Sequence, residues 1–241
     1  MYSKSKTSVS KVGEHLRKGT LYAVAIATSI MATPSATSDL DFHSRSMIRV
    51  SLPQQQVDLR TTRERYLDDA KEVAEQSLKK TGHYDLAALK KIENQWFSYL
   101  KNTDTPLEPL AESFRPQINQ TAKAMKINPE EIKAIAMHES ALWPYAVGPG
   151  PCPALGMMQL NPCAHPLTKK QYATIFRPET NFLLGGQVYK EDKEKFHNDV
   201  KKSLWAYWAG AGEVRGRPPK AFEKYYEHVK SHMLVPPTLR Q

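Results

Sequence analysis

A mainly α fold, one main domain preceded by an N-terminal helical extension, is the class this sequence predicts, on three observations. Apolar residues recur at three- and four-residue steps in segment after segment. Helix-start chemistry stands ahead of several of those segments, as at Asp85 and at Asn128-Pro129-Glu130-Glu131. Gly or Pro closes them, as at Gly82 and Pro236-Pro237. The 241 residues, 40% of them apolar, suffice for one good core with an appendage.

Residues 1–38 read as a targeting segment. Lys4, Lys6, Lys11, Arg17 and Lys18 precede an uncharged run, Leu21 to Ala32, of signal-peptide length and short for a bilayer span. Small residues at Ala32, Ala36 and Ser38 offer a cleavage site, which would leave a periplasmic protein. An uncleaved inner-membrane anchor is the alternative, because the basic region is long. No Cys follows the apolar run, which argues against a lipoprotein. Residues 39–56 mix Ser, Arg and Gln around Pro53 with no period and read as a linker.

Residues 57–103 form the extension. Thr61-Thr62-Arg63-Glu64 has the form of a capping box, and Tyr66, Ala70, Val73 and Ser77 follow at helical spacing as far as Gly82. Asp85 caps a second helix with the stripe Leu89, Ile92, Trp96 and Tyr99, so the two make an antiparallel pair. Their aromatic residues share one face, which favours packing against the main domain over binding sugar.

Thr103 to Pro109 is a Pro-broken connection into the domain of residues 104–241. Pro116 opens or kinks a helix carrying Ile118, Ala122 and Met125. The next runs from Asn128 to about Ser140, with Ile132, Ile135 and Ala136 on its apolar stripe, and the same stripe continued by seven residues from Ile132 reaches Glu139. A carboxylate is out of place there. Burial and the negative end of the helix dipole both disfavour its ionised form, so its pKa should rise towards that of a proton donor. Such a Glu suits general acid work. A Glu idle in solvent, or paired with one of the many lysines, is the plainer alternative.

Beyond Ser140 the chain reads Ala141-Leu142-Trp143-Pro144-Tyr145-Ala146-Val147, then Gly156-Met157-Met158-Gln159-Leu160-Asn161-Pro162. With Glu139-Ser140 these resemble the lysozyme-like lytic transglycosylase family, in the forms E-S-x-x-(N/P)-x-A-V and G-L-M-Q-L-x-P. Asn181 to Tyr189 resembles that family's N-x-x-x-G-x-x-Y helix, and Leu204 to Gly212 its L-A-A-Y-N-A-G-x-G. Four blocks in the same order, over roughly residues 114 to 217, carry the resemblance.

It implies a lysozyme-like domain that cleaves peptidoglycan glycan strands between N-acetylmuramic acid and N-acetylglucosamine, leaving 1,6-anhydro ends. Glu139 would be the acid and then the base, with Ser140 near it or the substrate N-acetyl group. Tyr207 would orient Glu139, and Met158 and Gln159 would line sugar subsites. Trp208 stands where the family usually has Asn, and offers a stacking platform or a packing residue. Glu179 and Glu213 remain open as a second carboxylate of the kind a hydrolase uses. No cofactor is implied.

Cys152 and Cys163 are too few for a metal site, and a thiol nucleophile would have only His165 as partner. In an exported chain a disulfide is the better reading, stapling a loop about two residues longer than the family's S-P-x-G-A. A net charge of +9, of which +4 lies before Asp39, brings no helix-turn-helix, zinc or RNA-binding signature. It fits an anionic wall polymer rather than nucleic acid. Two other classes stay open: a lysozyme-type hydrolase, and a glycan-binding module of an envelope-spanning secretion or conjugation complex, with the helical arm as partner surface. Beyond Asn181 the chain reads as a buried helix in which Gly185 and Gly186 allow close contact. A last helix carries Phe222, Tyr225, Tyr226, Val229 and Met233.

Overall fold

The structure, a computed structural model, describes residues 59–103 and 105–234, with side chains from Thr62 onward. The targeting segment, the linker and the Pro236-Pro237 stop lie outside them. The fold class is as the sequence implies: helices carry the described residues, and the only β pairing among them is two isolated bridges, Val147 with Leu155 and Leu155 with Leu160. No helix among them is long and apolar enough to cross a membrane.

The extension is α1 (Leu59–Thr81) and α2 (Leu86–Thr103), packed side by side across the turn at Gly82. Helix α1 is already under way at Leu59, so Thr61 does not start it. Asp85 does cap α2, its Oδ1 accepting from Ala88 N at 3.0 Å. The connection after Thr103 is not simply broken by proline. Pro109 lies in the first turn of α3 (Glu108–Ser113), and Pro116 in that of α4 (Arg115–Met125). A first-turn residue has no carbonyl to bond, so the missing amide costs little there and the fixed φ favours the helix.

Helix α5 (Pro129–Ser140) begins as its sequence indicates, with Asn128 Oδ1 accepting from Glu130 N at 3.0 Å. It is buried on nearly every side rather than along one stripe, Glu131 to Met137 all lying inside. Its charges are therefore paired: Glu131 with Lys193 at 2.9 Å, and Lys133 with Glu130, which also holds Arg115. After α6 (Lys169–Tyr172) come α7 (Pro178–Lys195), α8 (Val200–Ala209) and α9 (Lys220–Met233). Gly186 allows α7 to meet α4, since a Cβ there would stand 2.5 Å from Thr121 Cγ2.

Two hydrophobic cores result. One joins α3, α4, α5, α7, α8 and α9 through residues such as Ile118, Ile132, Phe182, Leu204 and Phe222. The other joins Ala70, Leu89 and Trp96 of the extension to Trp143, Val147, Leu155 and Leu160 of the loop after α5. Aromatic residues of the extension are thus spent on packing, Trp96 stacking on Trp143 at 5.5 Å. Glu139 lies where the chain passes from one core to the other.

Candidate active site

Helix α5 stops abruptly after Ser140. Ala141 (φ 48°) and Leu142 (φ 60°) both adopt the left-handed conformation, and the Leu142 amide turns back to Ala136 O at 3.3 Å. Two such residues without glycine store local strain, of order 1 kcal/mol or more each. The turn sends the chain into the second core and leaves Glu139 at a helix end.

Glu139 is half-buried, and its Oε1 accepts a hydrogen bond from the Tyr225 hydroxyl at 3.0 Å. Burial pushes its carboxyl up to about 7, against the lowering effect of that hydrogen bond. Tyr225 is itself buried on α9, its hydroxyl pushed well above the usual phenol value by burial and then by Glu139. Sequence reasoning placed Tyr225 only among the packing residues of the last helix. Its stripe position carried no sign that the hydroxyl would meet a residue 86 positions earlier.

No hydrogen bond joins Tyr207 to Glu139, although the carboxyl lies close enough to add to burial in raising the Tyr207 hydroxyl above its usual value. That hydroxyl donates to Met158 O at 2.5 Å, holding the Gly156–Gln159 turn, while Tyr225 supplies the donor to Glu139. Ser140 is buried and likewise serves that turn, donating to Met157 O at 2.9 Å and to Ala136 O at 3.2 Å. Met158 is 0% exposed, so its side chain lines no sugar subsite here. It fills the slot left by Gly185, where a Cβ would stand 2.5 Å from its own. Gln159, at φ 48°, is half-buried and ties its amide nitrogen to Gly156 O at 2.9 Å.

Asn181 is the residue the sequence undervalued. Almost fully buried at the start of α7, it accepts from Met158 N at 2.7 Å and donates to Leu155 O and Ile175 O, each at 3.0 Å. A Cβ on Gly156 (φ 74°) would collide with it, so the two residues require each other. A polar amide standing directly ahead of the apolar run Phe182-Leu183-Leu184 was the available signal. Cys152 and Cys163 form a disulfide across the same loop, and Asn161 Nδ2 donates to Cys152 O at 3.3 Å within it.

Of the other carboxylates, Glu179 is exposed and accepts from Gln117 Nε2 at 3.2 Å. Glu213 is exposed in the 3-10 turn Ala211–Glu213. Among the described residues no second carboxylate perturbs Glu139. A cavity of about 320 Å³, walled by Lys71, Tyr84, Tyr145, Phe176 and Arg177, lies at the seam of α1 and the loops and does not include Glu139.

Trp208 is half-buried and leans on Phe222 (ring centroids 5.9 Å apart) and on Tyr225 (6.2 Å). It therefore packs behind the residue that contacts Glu139. Trp208→Ala should cost about 3 kcal/mol, at the low end for a large aromatic because the ring is not wholly inside. Thermal unfolding checks this, and a melting temperature within a degree of wild type would leave the ring free for another role.

Next to Glu139, His138 opens a chain of rings. Its Nδ1 lies 2.7 Å from His228 Nδ1, and the His228 and His232 centroids are 4.7 Å apart. Burial lowers all three, His138 to about 3 and His232 to about 4, with neighbouring histidines adding to the effect on those two. The unfolded chain, titrating near 6.5, takes up protons that these folded rings refuse. Stability they contribute is complete above about 6.5 and lost as pH falls below it towards 4. The thermal advantage of wild type over His138→Gln should therefore narrow between pH 6.5 and 4; a constant difference would contradict this.

Comparison with known proteins finds matches to a protein family and to solved structures. The transglycosylase SLT domain family matches residues 116–229. The chain is also similar to the crystal structure of an inactive mutant of lytic transglycosylase Slt from Pseudomonas aeruginosa, at 20% identity and a TM-score of 0.39. That match covers 71% of this chain and 28% of the Pseudomonas chain, so only a minor part of that enzyme's length is spanned. No curated protein matches.

Proposed function

Because residues 116–229 belong to the transglycosylase SLT domain family, a family of glycan-cleaving lyases, we propose that this chain is a peptidoglycan lytic transglycosylase with Glu139 as its acid and base. One observation supports this above others: a half-buried carboxyl with a pKa of about 7, held by a tyrosine hydroxyl and unaccompanied by a second carboxylate among the described residues.

A carboxyl poised near neutrality is protonated often enough to donate and ionised readily enough to recover a proton. Glu139 protonates the glycosidic oxygen as the bond between N-acetylmuramic acid and N-acetylglucosamine breaks. The substrate N-acetyl group stabilises the cationic C1. As carboxylate, Glu139 then takes the proton of the muramyl C6 hydroxyl, whose oxygen bonds to C1 and closes the 1,6-anhydro ring. No water enters, so no second base is needed, in contrast to a two-carboxylate hydrolase. Between the steps Tyr225 donates to the ionised carboxylate, where a charge-assisted hydrogen bond counts most.

Such a substrate lies outside the cytoplasm, which agrees with export by residues 1–38. Incubation of the chain with purified peptidoglycan tests the reading. Soluble muropeptides ending in anhydro-muramic acid are expected, and no release from an intact, folded protein would end it.

A further inference from the structure

The loop that follows Glu139 is anchored by the extension through charge as well as packing. In the bridge between Val147 and Leu155, the bonds run from Gly148 N to Ala154 O and from Gly156 N to Ala146 O, each 2.8 Å. Residues flanking the bridge make them, so the amide and carbonyl of Val147 itself point to the opposite edge. Val147 is 4% exposed, and unpaired backbone groups there would be costly.

Helix α2 supplies both partners. Glu93 Oε2 accepts from Val147 N at 3.0 Å, and Lys90 Nζ donates to Val147 O at 2.7 Å. Lys90 and Glu93 also pair with each other at 2.9 Å. Two side chains thus do what a neighbouring strand would do for a single residue. Glu93 is 4% exposed. Burial raises its carboxyl above the ordinary range, with Lys90 and the Val147 amide acting against that. A charge kept inside at such a cost marks a contact that an apolar residue could not make.

The contact reaches the acid through a short series of bonds. Ala146 O accepts from Gly156 N, which opens the turn, and Met157 O in that turn accepts from Ser140, the neighbour of Glu139. We propose that Glu93 and Lys90 are positioning residues for the reaction: by fixing Val147 they set the loop that follows Glu139 and is bonded to its neighbour Ser140. The extension is then part of the catalytic unit rather than an arm reserved for a partner. This rests on the activity proposed above, but the loop itself can be followed without activity.

Hydrogen exchange over residues 146–160 of the full chain, in wild type, Glu93→Leu and Glu93→Gln, reads the loop directly. Glu93→Leu should speed exchange there at least about tenfold, while Glu93→Gln, which still accepts from Val147 N, should restore most of the protection. With peptidoglycan as substrate, Glu93→Leu should lose most of its turnover. Its falling alkaline limb should also move from about 7 towards the ordinary carboxylate range as water reaches Glu139. Should Glu93→Leu fail to fold, Lys90→Met removes the donor to Val147 O together with the cation paired with Glu93, and should shift the same two readings in the same direction. Unchanged exchange in a folded variant overturns the proposal. A looser loop with wild-type turnover and an unmoved limb overturns it too, leaving Glu93 a packing residue. A wild type without activity would overturn the transglycosylase reading instead, and the exchange result would then decide alone whether Glu93 fixes the loop.

Discussion

Glu139→Gln should fold normally and lose glycan cleavage by about a thousandfold or more, within the range expected when a general acid is removed. The amide has the shape of the carboxyl but can neither give up nor recover a proton. Stability supplies an independent check, because a folded-state pKa of about 7 lies above the usual 4.5 for this group. A raised carboxyl contributes stability that is present below 4.5 and lost as pH rises through about 7. Above that pH the wild type holds an ionised group in a site that resists it, at a cost of up to about 3 kcal/mol. Glu139→Gln should therefore melt no lower than wild type at pH 8. A variant that lyses peptidoglycan at the wild-type rate would remove Glu139 from the chemistry, and one that melts far lower would mean its carboxylate is a structural partner.

Tyr225→Phe should have the next largest effect. The ring stays among Phe222, Trp208 and His138, so packing is retained, and only the donor at 3.0 Å from Glu139 goes. A hydrogen bond to a charged group is worth about 1.5–3 kcal/mol, so turnover should fall by roughly ten- to a hundredfold. The direction of the pH shift follows from what the bond does now. It lowers the Glu139 pKa against burial, so its loss lets the pKa rise above about 7 and moves the falling limb of the rate profile to higher pH. A profile that stays in place with undiminished turnover would make Tyr225 a packing residue.

How far these results could be foreseen differs between local and distant contacts. The Asn128 and Asp85 caps, the first-turn Pro116 and the unusual placing of Glu139 were legible, because a helix start or a stripe is a matter of neighbouring residues. Tyr225 and Tyr207 were not. Both lie on helices that reach the site from far along the chain, and which hydroxyl meets the carboxylate depends on how α8 and α9 are set against α5. Met158 illustrates the same limit. Its motif marks the turn, but only Gly185 opposite shows that the side chain is drawn inward. Glu93 is the furthest from view: within α2 it looks like any surface glutamate, and its burial exists only because the Val147 edge is open on that side.

Digestion of purified peptidoglycan in water enriched with heavy oxygen tests the central claim most directly. If Glu139 recovers its proton from the C6 hydroxyl and no water attacks C1, each new muramyl end is one water lighter than a hydrolytic end and carries no heavy oxygen. Ends of full hydrolytic mass bearing one heavy oxygen each would contradict the account.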